Sequence, residues 1–455
     1  MSKVIAAIST PISPAGLGVI RISGSGAIEL AARVFRPLNQ GRELTALRGY
    51  TAAYGHIEDT DGRVDECVAT VFRAPHSYTG EDVVEFSCHG GVYLLQRTLR
   101  ALFAAGAIPA EAGEFTRRAF LNGKMDLSRA EAVMDLISAE GRLAAKTALA
   151  TREGAVFQAL QPIKEQLIGW QAQISAFVDY PDDDIPELEP SVLLEGLLSA
   201  EQALAHLLET YDAGRILRTG VDTVIVGSPN VGKSTLMNCL AGCDRSIVTA
   251  VAGTTRDVVE ESVRVGELTL RLSDTAGIRE TEDVVEAIGV QRSRKRLESA
   301  ALVLAVFDSS RELSEDDVAL IDELPADTTI VVLNKQDLEE KINKEYIFNK
   351  FKHIVGMQAA NGSGKDELTR AITEVTGLYH LEEAEPMLAS ERQRECVARA
   401  REALLEAVGA LQAGLSQDAV AVSVDGALAA LLELTGERAT EAVVNGIFAR
   451  FCVGK

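Results

Sequence analysis

The octapeptide Gly227–Ser234 constrains the fold of this chain more than any other part of its sequence. It follows the apolar run Thr223–Val226, precedes an apolar helix start at Leu236 and Met237, and matches the pattern G-x-x-x-x-G-K-[ST]. In a strand–loop–helix context, the glycines of this pattern let backbone amides point at phosphate oxygens, and the lysine faces the β- and γ-phosphates. The segment therefore predicts a P-loop that binds a nucleoside triphosphate.

Three more short runs of Val, Ile and Leu follow the P-loop and alternate with helical stretches. They lie at Leu268–Leu272, Leu302–Phe307 and Ile330–Leu333. Such alternation is typical of a doubly wound parallel sheet. We therefore expect an α/β domain over residues 218–379.

The tetrapeptide Asn334-Lys335-Gln336-Asp337 indicates which base this domain binds. An aspartate at its end can accept hydrogen bonds from the N1–H and the exocyclic amine of guanine, and adenine presents no such pair of donors. The last loop, Gln358-Ala359-Ala360-Asn361, is degenerate, so we expect a backbone contact from Ala359 and weaker support of the base. The domain is predicted to be a Ras-like G domain that hydrolyses GTP.

Two further loops predict how the γ-phosphate and Mg²⁺ are held. Asp274 can hold Mg²⁺ through its water shell, and Gly277 can donate its N–H to the γ-phosphate. Ser234 and Thr255 supply the hydroxyl groups that we expect as direct Mg²⁺ ligands. The complete set of expected nucleotide-binding residues is Asn230, Val231, Gly232, Lys233, Ser234, Thr235, Thr249, Ala250, Val251, Ala252, Gly253, Thr254, Thr255, Asp274, Thr275, Ala276, Gly277, Asn334, Lys335, Asp337, Gln358 and Ala359.

Ile278 stands where Ras-type proteins carry the glutamine that orients the attacking water. Isoleucine cannot orient water, so another group must do so. Glu286 lies on the same segment, but its spacing alone favours an ordinary solvated acid among Glu280, Glu282 and Asp283 over such a role. Sequence alone identifies no arginine finger either.

The sequence on both sides of the predicted G domain has a different pattern of apolar and polar residues. Residues 1–120 alternate short β-like runs with glycine turns, including a strand at Gly18–Gly24 and a helix at Ala27–Phe35 capped near Ser25. Apolar residues then recur at helical spacing over residues 121–217 and again over residues 380–455. The chain is therefore predicted to combine an N-terminal α+β domain with an all-α domain that is split by the inserted α/β domain.

Composition limits the class of protein. A length of 455 residues fits three domains at roughly 150 residues each. No apolar run reaches the roughly 18 residues of a membrane span, and six scattered cysteines favour a reducing cytoplasm. The formal net charge of −22 argues against binding of nucleic acid through diffuse positive charge, so any RNA substrate needs local patches or a partner protein.

Distinctive motifs occur in all three parts of the chain. In the predicted G domain these are Asn230 within the P-loop, Thr249–Asp257, Asp274–Arg279 and Glu286. The flanking parts add Thr10-Pro11, Gly18–Gly24, Thr79–Asp82, His89–Gly91, Gly113–Lys124 and the terminal Cys452-Val453-Gly454-Lys455. Together these motifs resemble those of the MnmE (TrmE) family of tRNA-modifying GTPases, and the resemblance covers essentially the whole chain.

For the G domain, this resemblance implies K⁺-promoted pairing of two chains. The K⁺ ligands would be Asn230, Thr249, Val251 and Thr254, and the ion would lie where an arginine finger places its charge. Glu286 would orient the attacking water. The homodimer would form through the N-terminal domain.

For the rest of the chain, the resemblance implies a folate site and a partner enzyme. By motif position, Arg21, Glu85, Lys124 and Lys455 would contact a 5-formyl- or methylene-tetrahydrofolate. An FAD-containing MnmG-type subunit would join in a heterotetramer, and the complex would install an aminomethyl or carboxymethylaminomethyl group at C5 of the wobble uridine of certain tRNAs. Cys452 is either a thiol that acts in this modification or a small apolar residue that packs the tail.

Two other functions share the G-domain loops. A ribosome-assembly GTPase of the Era or Der type would need a KH domain with a Gly-x-x-Gly loop or a second P-loop, and the sequence contains neither. A non-enzymatic GTP switch would have no use for the C-terminal motif. The basic cluster Arg292–Arg296 fits a solvated helix face better than a tRNA contact.

Overall fold

The computed structural model describes residues 2–39, 41–180, 188–241, 261–272, 297, 300–378 and 386–455. The chain divides into two compact units. The first unit comprises Met1–Met134 and Asp425–Lys455, and the second comprises Asp135–Val424. Residues 121–134 and 425–455, which we expect in the split helical domain, thus group with the N-terminal sheet. The three-domain bounds remain a prediction.

The strands of the described residues form two sheets. They are β1 (Ile5–Ile8), β2 (Ala15–Ser23), β3 (Phe35–Pro37), β4 (Thr51–Asp59), β5 (Gly62–Phe72), β6 (Val83–Gly90), β7 (Ile108–Pro109), β8 (Val221–Val226), β9 (Glu261–Val265), β10 (Leu268–Leu272), β11 (Leu302–Asp308), β12 (Thr329–Asn334) and β13 (His353–Gly356).

The α-helices of the described residues flank these sheets or pack on one another. They are α1 (Ala27–Val34), α2 (Val92–Ala104), α3 (Glu114–Leu121), α4 (Leu127–Ser138), α5 (Arg142–Glu153), α6 (Ala155–Asp179), α7 (Pro190–Glu209), α8 (Tyr211–Thr219), α9 (Lys233–Ala241), α10 (Glu315–Glu323), α11 (Lys344–Phe348), α12 (Lys365–Val375), α13 (Glu391–Gln412), α14 (Gln417–Thr435) and α15 (Glu441–Phe448).

The first unit contains a mainly antiparallel sheet with the strand order β3-β4-β5-β6-β2-β1-β7. Period-2 alternation in β2 sends Ile20 and Ile22 into a core with helices α1 and α2. The same alternation puts Arg21 on the opposite face, where it lies directly across from Glu85 of β6. One face of the sheet therefore carries the larger core, and the other carries the Arg21–Glu85 pair beside a smaller buried cluster that includes Ile5, Ala7 and Phe115.

Helix α1 corrects one detail of the sequence prediction. It ends at Val34 rather than Phe35, and its N-cap is Gly26 at φ 86°, with no side-chain cap from Ser25. Glycine adopts this left-handed conformation at little cost, so a serine cap is not required. Phe35 instead begins β3, and its ring stacks on Phe86 at a centroid distance of 5.8 Å.

The C-terminal residues of the chain are part of the first unit. Val444, Phe448 and Phe451 pack against Leu127 and Ala130 of helix α4. Burial of two phenylalanine rings fixes the chain immediately before residues 452–455. The terminal tetrapeptide consequently has a defined position against the N-terminal sheet.

The second unit contains the predicted doubly wound sheet, with the strand order β13-β12-β11-β8-β10-β9. All neighbouring pairs are parallel except β9 with β10. Strand β8 lies between β10 and β11, so the chain continues to one side of β8 first and to the other side afterwards. Ligands bind at the carboxyl end of strands at such a switch point, which is where the P-loop begins.

Helices that precede and follow this sheet in sequence pack together. Helix α7 lies along α13, and Arg401 donates to Glu201 at 2.6 Å. Helix α8 approaches the segment after the sheet so closely that a Cβ on Gly214 would lie 2.1 Å from the Leu388 carbonyl oxygen. That this sheet is a domain inserted between the helices remains a prediction.

In the described parts of the chain, no helix combines the length and apolar character needed to cross a membrane.

The His89–Asp65 pair between β6 and β5 should make stability of the first unit depend on pH. His89 Nδ1 lies 2.7 Å from Asp65 Oδ1, and the hydrogen bond to this carboxylate raises the pKa of His89 above 6.5. A raised folded-state pKa stabilises the fold fully below the unfolded value and loses this effect as pH rises through the folded value. His89→Gln should therefore lower the melting temperature at about pH 6 and leave it unchanged at about pH 9.

Asp65→Asn removes the charge from the other side of the pair and also weakens the bonds that this carboxylate accepts from the amides of Glu66 and His89. Its melting temperature should therefore fall at both pH values, with the larger decrease at about pH 6. An equal loss at both pH values would show that protonation of His89 contributes nothing.

Candidate functional site

The P-loop is built on backbone conformations that its sequence permits. Gly227 has φ 144°, and a Cβ there would lie 2.2 Å from the Val306 carbonyl oxygen. Gly232 has φ 101°, and Asn230 adopts φ 63°. Glycine reaches such angles without strain, and asparagine is among the residues that tolerate the left-handed region. The loop can therefore turn its amides inward to form a phosphate cradle.

Lys233 is held by the loop itself. Its Nζ donates to the carbonyl oxygens of Gly227 at 2.7 Å and Ser228 at 2.8 Å. Burial lowers the pKa of Lys233, since the protein replaces part of the solvation of the ammonium group. Ser234 and Thr235 follow on the first turn of helix α9 and are exposed, as a metal-binding hydroxyl requires.

Asn334 connects three loops through one buried side chain. Its Nδ2 donates to the Val231 carbonyl oxygen in the P-loop at 2.9 Å, and its Oδ1 accepts from the Ala359 amide at 3.0 Å. The side chain comes so close to Gly232 that a Cβ there would lie 2.1 Å from Nδ2. The backbone donor that we expect Ala359 to supply to the base is thus engaged with Asn334. The structure thus brings together the P-loop, the loop Asn334–Asp337 and the loop Gln358–Asn361.

The residues after Asn334 turn toward solvent. Lys335 has φ 64°, and its Nζ donates to Asp308 Oδ2 at 2.5 Å. Burial opposes ionisation of Asp308, but hydrogen bonds from Lys335 and Ser310 outweigh it and hold the pKa of this carboxyl below its ordinary value. Asp337 is exposed at the end of the same loop, where a base can reach its carboxylate.

In the last loop, Gln358 pairs with Ser363 through the backbone, and its Oε1 accepts from Asn361 Nδ2 at 2.6 Å. The glutamine side chain is therefore engaged in shaping the loop.

A buried carboxylate that the sequence analysis does not single out also contacts the P-loop. Asp317, at the first turn of helix α10, is 2% exposed and accepts from the Ser228 hydroxyl at 2.5 Å. Ser314 and Asp317 form a capping box, a pattern that is visible in the sequence as Ser-x-x-Asp. The pattern predicts the helix start but says nothing about the contact with Ser228.

Several expected site residues lie outside the described residues. They are Thr249, Ala250, Val251, Ala252, Gly253, Thr254, Thr255, Asp274, Thr275, Ala276, Gly277, Ile278, Glu286 and Arg292–Arg296. Their roles remain predictions.

A second candidate site lies on the face of the N-terminal sheet that carries Arg21. Arg21 Nε donates to Glu85 Oε1 at 2.8 Å, and the two side chains are 15% and 26% exposed. The guanidinium carbon of Arg21 lies 5.2 Å from the Tyr78 ring centroid and 5.6 Å from that of Phe115. Aromatic rings beside a paired cation and carboxylate form a surface suited to a flat, charged ligand.

The C-terminal tetrapeptide lies against this second site. The Gly454 carbonyl oxygen accepts from Arg21 Nη1 at 3.3 Å and from Ser9 Oγ at 3.1 Å. The Lys455 carbonyl oxygen accepts from the Phe115 amide at 3.2 Å. Cys452 is exposed, which does not fit a residue that packs the tail within this unit. A role of Cys452 in the modification remains a prediction.

Lys124 lies beside the loop that carries Tyr78. Its Nζ donates to the Pro75 carbonyl oxygen at 3.0 Å, and its methylenes approach Gly80. The neighbouring Asn122 Nδ2 donates to the Thr79 carbonyl oxygen at 2.7 Å. The Gly113–Lys124 motif thus holds the loop that carries one ring of the second site.

A polar network supports β2 two residues beyond Arg21. Ser23 Oγ donates to Glu81 Oε2 at 2.8 Å, and Arg118 Nη1 donates to the same oxygen at 3.0 Å. Burial of Glu81 raises its pKa, but these bonds and one from Ser2 outweigh it, so the pKa of Glu81 is lowered. The Thr-Gly-Glu-Asp motif therefore serves the architecture around the site, which its composition alone does not reveal.

Comparison with known families finds a matching family model for each of two segments of the chain. Residues 127–452 match the family model described as the MnmE helical domain, and residues 4–124 match the one described as the GTP-binding protein TrmE N-terminus.

Full-length relatives agree with these models. A "tRNA modification GTPase MnmE" from Alkaliphilus metalliredigens is 40% identical over 460 residues, which cover 100% of each chain. The relative of the same name from Lactococcus lactis is 42% identical over 452 residues, 99% of this chain and 98% of its own. The FeoB G-domain from Methanococcus jannaschii is 22% identical, covers 34% of this chain and 98% of its own, and has a TM-score of 0.25, which is too low to support a conclusion.

Gly232→Ala should weaken nucleotide binding strongly. A Cβ at this position meets the Asn334 carboxamide and strains a backbone at φ 101°, so the bridge between the three loops must shift. We expect GTP affinity to fall by at least about 100-fold in calorimetry.

Gly409→Ala is the matched control, since a Cβ there meets nothing within 4 Å on helix α13. It should bind GTP as the wild type does and be more stable by about 0.5–1 kcal/mol. Nucleotide affinity of Gly232→Ala near that of this control would show that the bridge tolerates a side chain.

Proposed function

The chain belongs to the MnmE family of tRNA modification GTPases and is a GTP hydrolase. We propose that the hydrolysis of GTP by this chain drives modification of C5 of the wobble uridine in certain tRNAs. The product would carry an aminomethyl or carboxymethylaminomethyl group. The observation that carries this proposal is the extent of the similarity, which includes the G domain, the N-terminal sheet and the terminal tetrapeptide. A ribosome-assembly GTPase or a simple GTP switch would not account for similarity over the whole chain.

We propose that the P-loop and the base-recognition loop bind GTP with Mg²⁺. The residues fit such a ligand, because a glycine cradle, the Lys233 ammonium and exposed hydroxyls on the first turn of α9 converge at the carboxyl end of β8. Lys233 would face the β- and γ-phosphates, Ser234 and Thr255 would ligate the metal, and Asp337 would select guanine. Bound Mg²⁺ would supply charge neutralisation at the phosphates.

Completion of this site would require a second chain and a K⁺ ion. Asn230, Thr249, Val251 and Thr254 would ligate the ion, whose charge would lie near the β–γ bridge in place of an arginine finger. Glu286 would orient the attacking water because Ile278 cannot. The homodimer would form through the N-terminal unit, in the cytoplasm.

We propose that the second site binds the glutamyl and pterin groups of a 5-formyl- or methylene-tetrahydrofolate. A folate presents carboxylates at one end and paired donors at the other, and Arg21, Lys124 and Lys455 with Glu85 match that set. The Arg21–Glu85 pair and the two aromatic rings support the assignment, since they combine charge with flat apolar surface. The bound folate would supply the one-carbon unit, and Cys452 would act nearby as a thiol.

The remaining chemistry would belong to a partner. An FAD-containing subunit of the MnmG type would join the dimer in a heterotetramer that holds the tRNA. With a net charge of −22, this chain is poorly suited to bind tRNA by its general charge, which supports a division of labour with such a subunit.

Nucleoside analysis of tRNA tests the function directly. A strain without the gene should lack the C5 modification of the wobble uridine, and the wild-type gene should restore it. Restoration should fail with Lys233→Ala, because the variant loses the charge that faces the phosphates. A deletion strain with unchanged tRNA nucleosides would refute the proposed function.

Arg21→Ala tests the folate assignment separately. Removal of a charge-assisted partner should weaken binding of 5-formyltetrahydrofolate by about 10- to 100-fold in calorimetry and leave GTP affinity unchanged. Arg33→Ala is the control, since this arginine lies on helix α1 and bonds to the Ala105 carbonyl oxygen. Equal folate affinity in Arg21→Ala and Arg33→Ala would show that folate does not bind at this face of the sheet.

A further inference from the structure

Asp317 is a buried carboxylate that belongs to none of the GTP-binding motifs. Its Oδ2 accepts from the Ser314 amide at 3.0 Å, the Ser314 hydroxyl at 2.8 Å and Arg311 Nη2 at 3.3 Å. Its Oδ1 accepts from the Ser228 hydroxyl at 2.5 Å. A carboxylate with 2% exposure is stable only when such donors replace its water.

The two oxygens of Asp317 have different functions. A capping box requires a single contact from the N3 side chain to the N-cap amide, and Oδ2 provides it at Ser314. Helix α10 therefore does not need the contact of Oδ1 with Ser228, which is 89 residues away in sequence. That contact joins the helix after β11 to the first turn of the P-loop.

Ser228 in turn helps to hold Lys233. The carbonyl oxygens of Gly227 and Ser228 both accept from Lys233 Nζ, at 2.7 and 2.8 Å. Gly227 lies at φ 144°, and glycine confers little stiffness on this turn. The bond from Ser228 to Asp317 therefore adds a restraint from outside the loop on the direction of these carbonyls.

We propose that Asp317 is a positioning residue for nucleotide binding, which through Ser228 fixes the first turn of the P-loop and with it Lys233. The inference rests on the proposed nucleotide site and adds a residue to it. Asp317 touches neither phosphate nor metal; it sets the geometry of the groups that do.

The charge state of Asp317 suits this role. Burial raises the pKa of the carboxyl, but hydrogen bonds from Ser228 and Ser314 and the charge of Arg311 outweigh burial and hold the pKa below its ordinary value. The group is therefore ionised at neutral pH. Hydrogen bonds to an ionised acceptor are roughly twice as strong as neutral ones, so the contact with Ser228 can restrain a flexible loop.

Two variants of the full-length chain separate this role from a purely structural one. Ser228→Ala removes the bond from the P-loop to Oδ1. Ser314→Ala removes a hydroxyl from Oδ2 of the same carboxylate and weakens the helix cap, but the Ser314 amide and Arg311 still hold Asp317 in place. Affinity for GTP with Mg²⁺ by calorimetry and melting temperature would be measured for both.

Ser228→Ala should bind GTP about tenfold more weakly than the wild type, as expected for loss of a hydrogen bond to a charged group. Its melting temperature should fall no further than that of Ser314→Ala, because Ser228 is only half-buried and water can replace it. Ser314→Ala should melt earlier and keep its GTP affinity within about twofold. Ser228→Thr retains the hydroxyl and should restore the affinity.

Asp317→Asn provides the coupling test. If Ser228 and Asp317 act together, the double variant Ser228→Ala with Asp317→Asn should bind GTP no more weakly than whichever single variant has the lower GTP affinity. Should Asp317→Asn fail to fold, Ser228→Ala, Ser228→Thr and Ser314→Ala still decide the question.

Unchanged GTP affinity of Ser228→Ala, or an equal loss in Ser314→Ala, would overturn the inference and leave the nucleotide site intact. A wild-type chain that bound no GTP would instead refute the nucleotide site, and the positioning role with it.

Discussion

The G domain depends on one buried side-chain carboxamide, that of Asn334. Asn334 satisfies a carbonyl of the P-loop and an amide of the last loop at the same time, and both bonds are buried. An unsatisfied buried polar group costs about 1–3 kcal/mol, so displacement of either loop is opposed from the other side. The three loops are therefore coupled through Asn334.

This constraint explains the residue types around it. Gly232 must lack a side chain because the Asn334 carboxamide occupies the space where its Cβ would lie. Lys335 takes a left-handed backbone conformation immediately after Asn334, and the ion pair with Asp308 offsets part of that strain. Asn334 thus fixes the start of this loop through its buried side chain, and Lys335 fixes it through the ion pair with Asp308. Asp337, at the end of the loop, is exposed to solvent. A fixed backbone with one exposed carboxylate is an arrangement that loses little conformational freedom when a ligand binds.

The sequence predicted features that depend on local pattern and missed those that depend on distant contacts. Strands β8, β10, β11 and β12 follow from apolar runs, and the P-loop follows from its glycine spacing, because these signals lie within a few residues. The Gly26 cap was missed because a glycine at a helix start resembles any turn glycine. The contact of Asp317 with Ser228 could not be predicted, since a capping box looks the same whether or not its second oxygen reaches another loop.

The second site shows the same limitation at larger scale. Arg21 and Gly454 are 433 residues apart, and nothing in the sequence near either residue indicates the hydrogen bond between them. The packing of Phe448 and Phe451 on helix α4 brings the terminal residues to the sheet, and Ser9, Arg21 and Phe115 then donate to their carbonyl oxygens. The Arg21–Glu85 pair and the rings of Tyr78 and Phe115 come from the N-terminal part of the sequence, and the terminal residues add the Gly454 carbonyl oxygen beside them. Truncation of a few C-terminal residues would therefore remove part of the site and leave the Arg21–Glu85 pair in place.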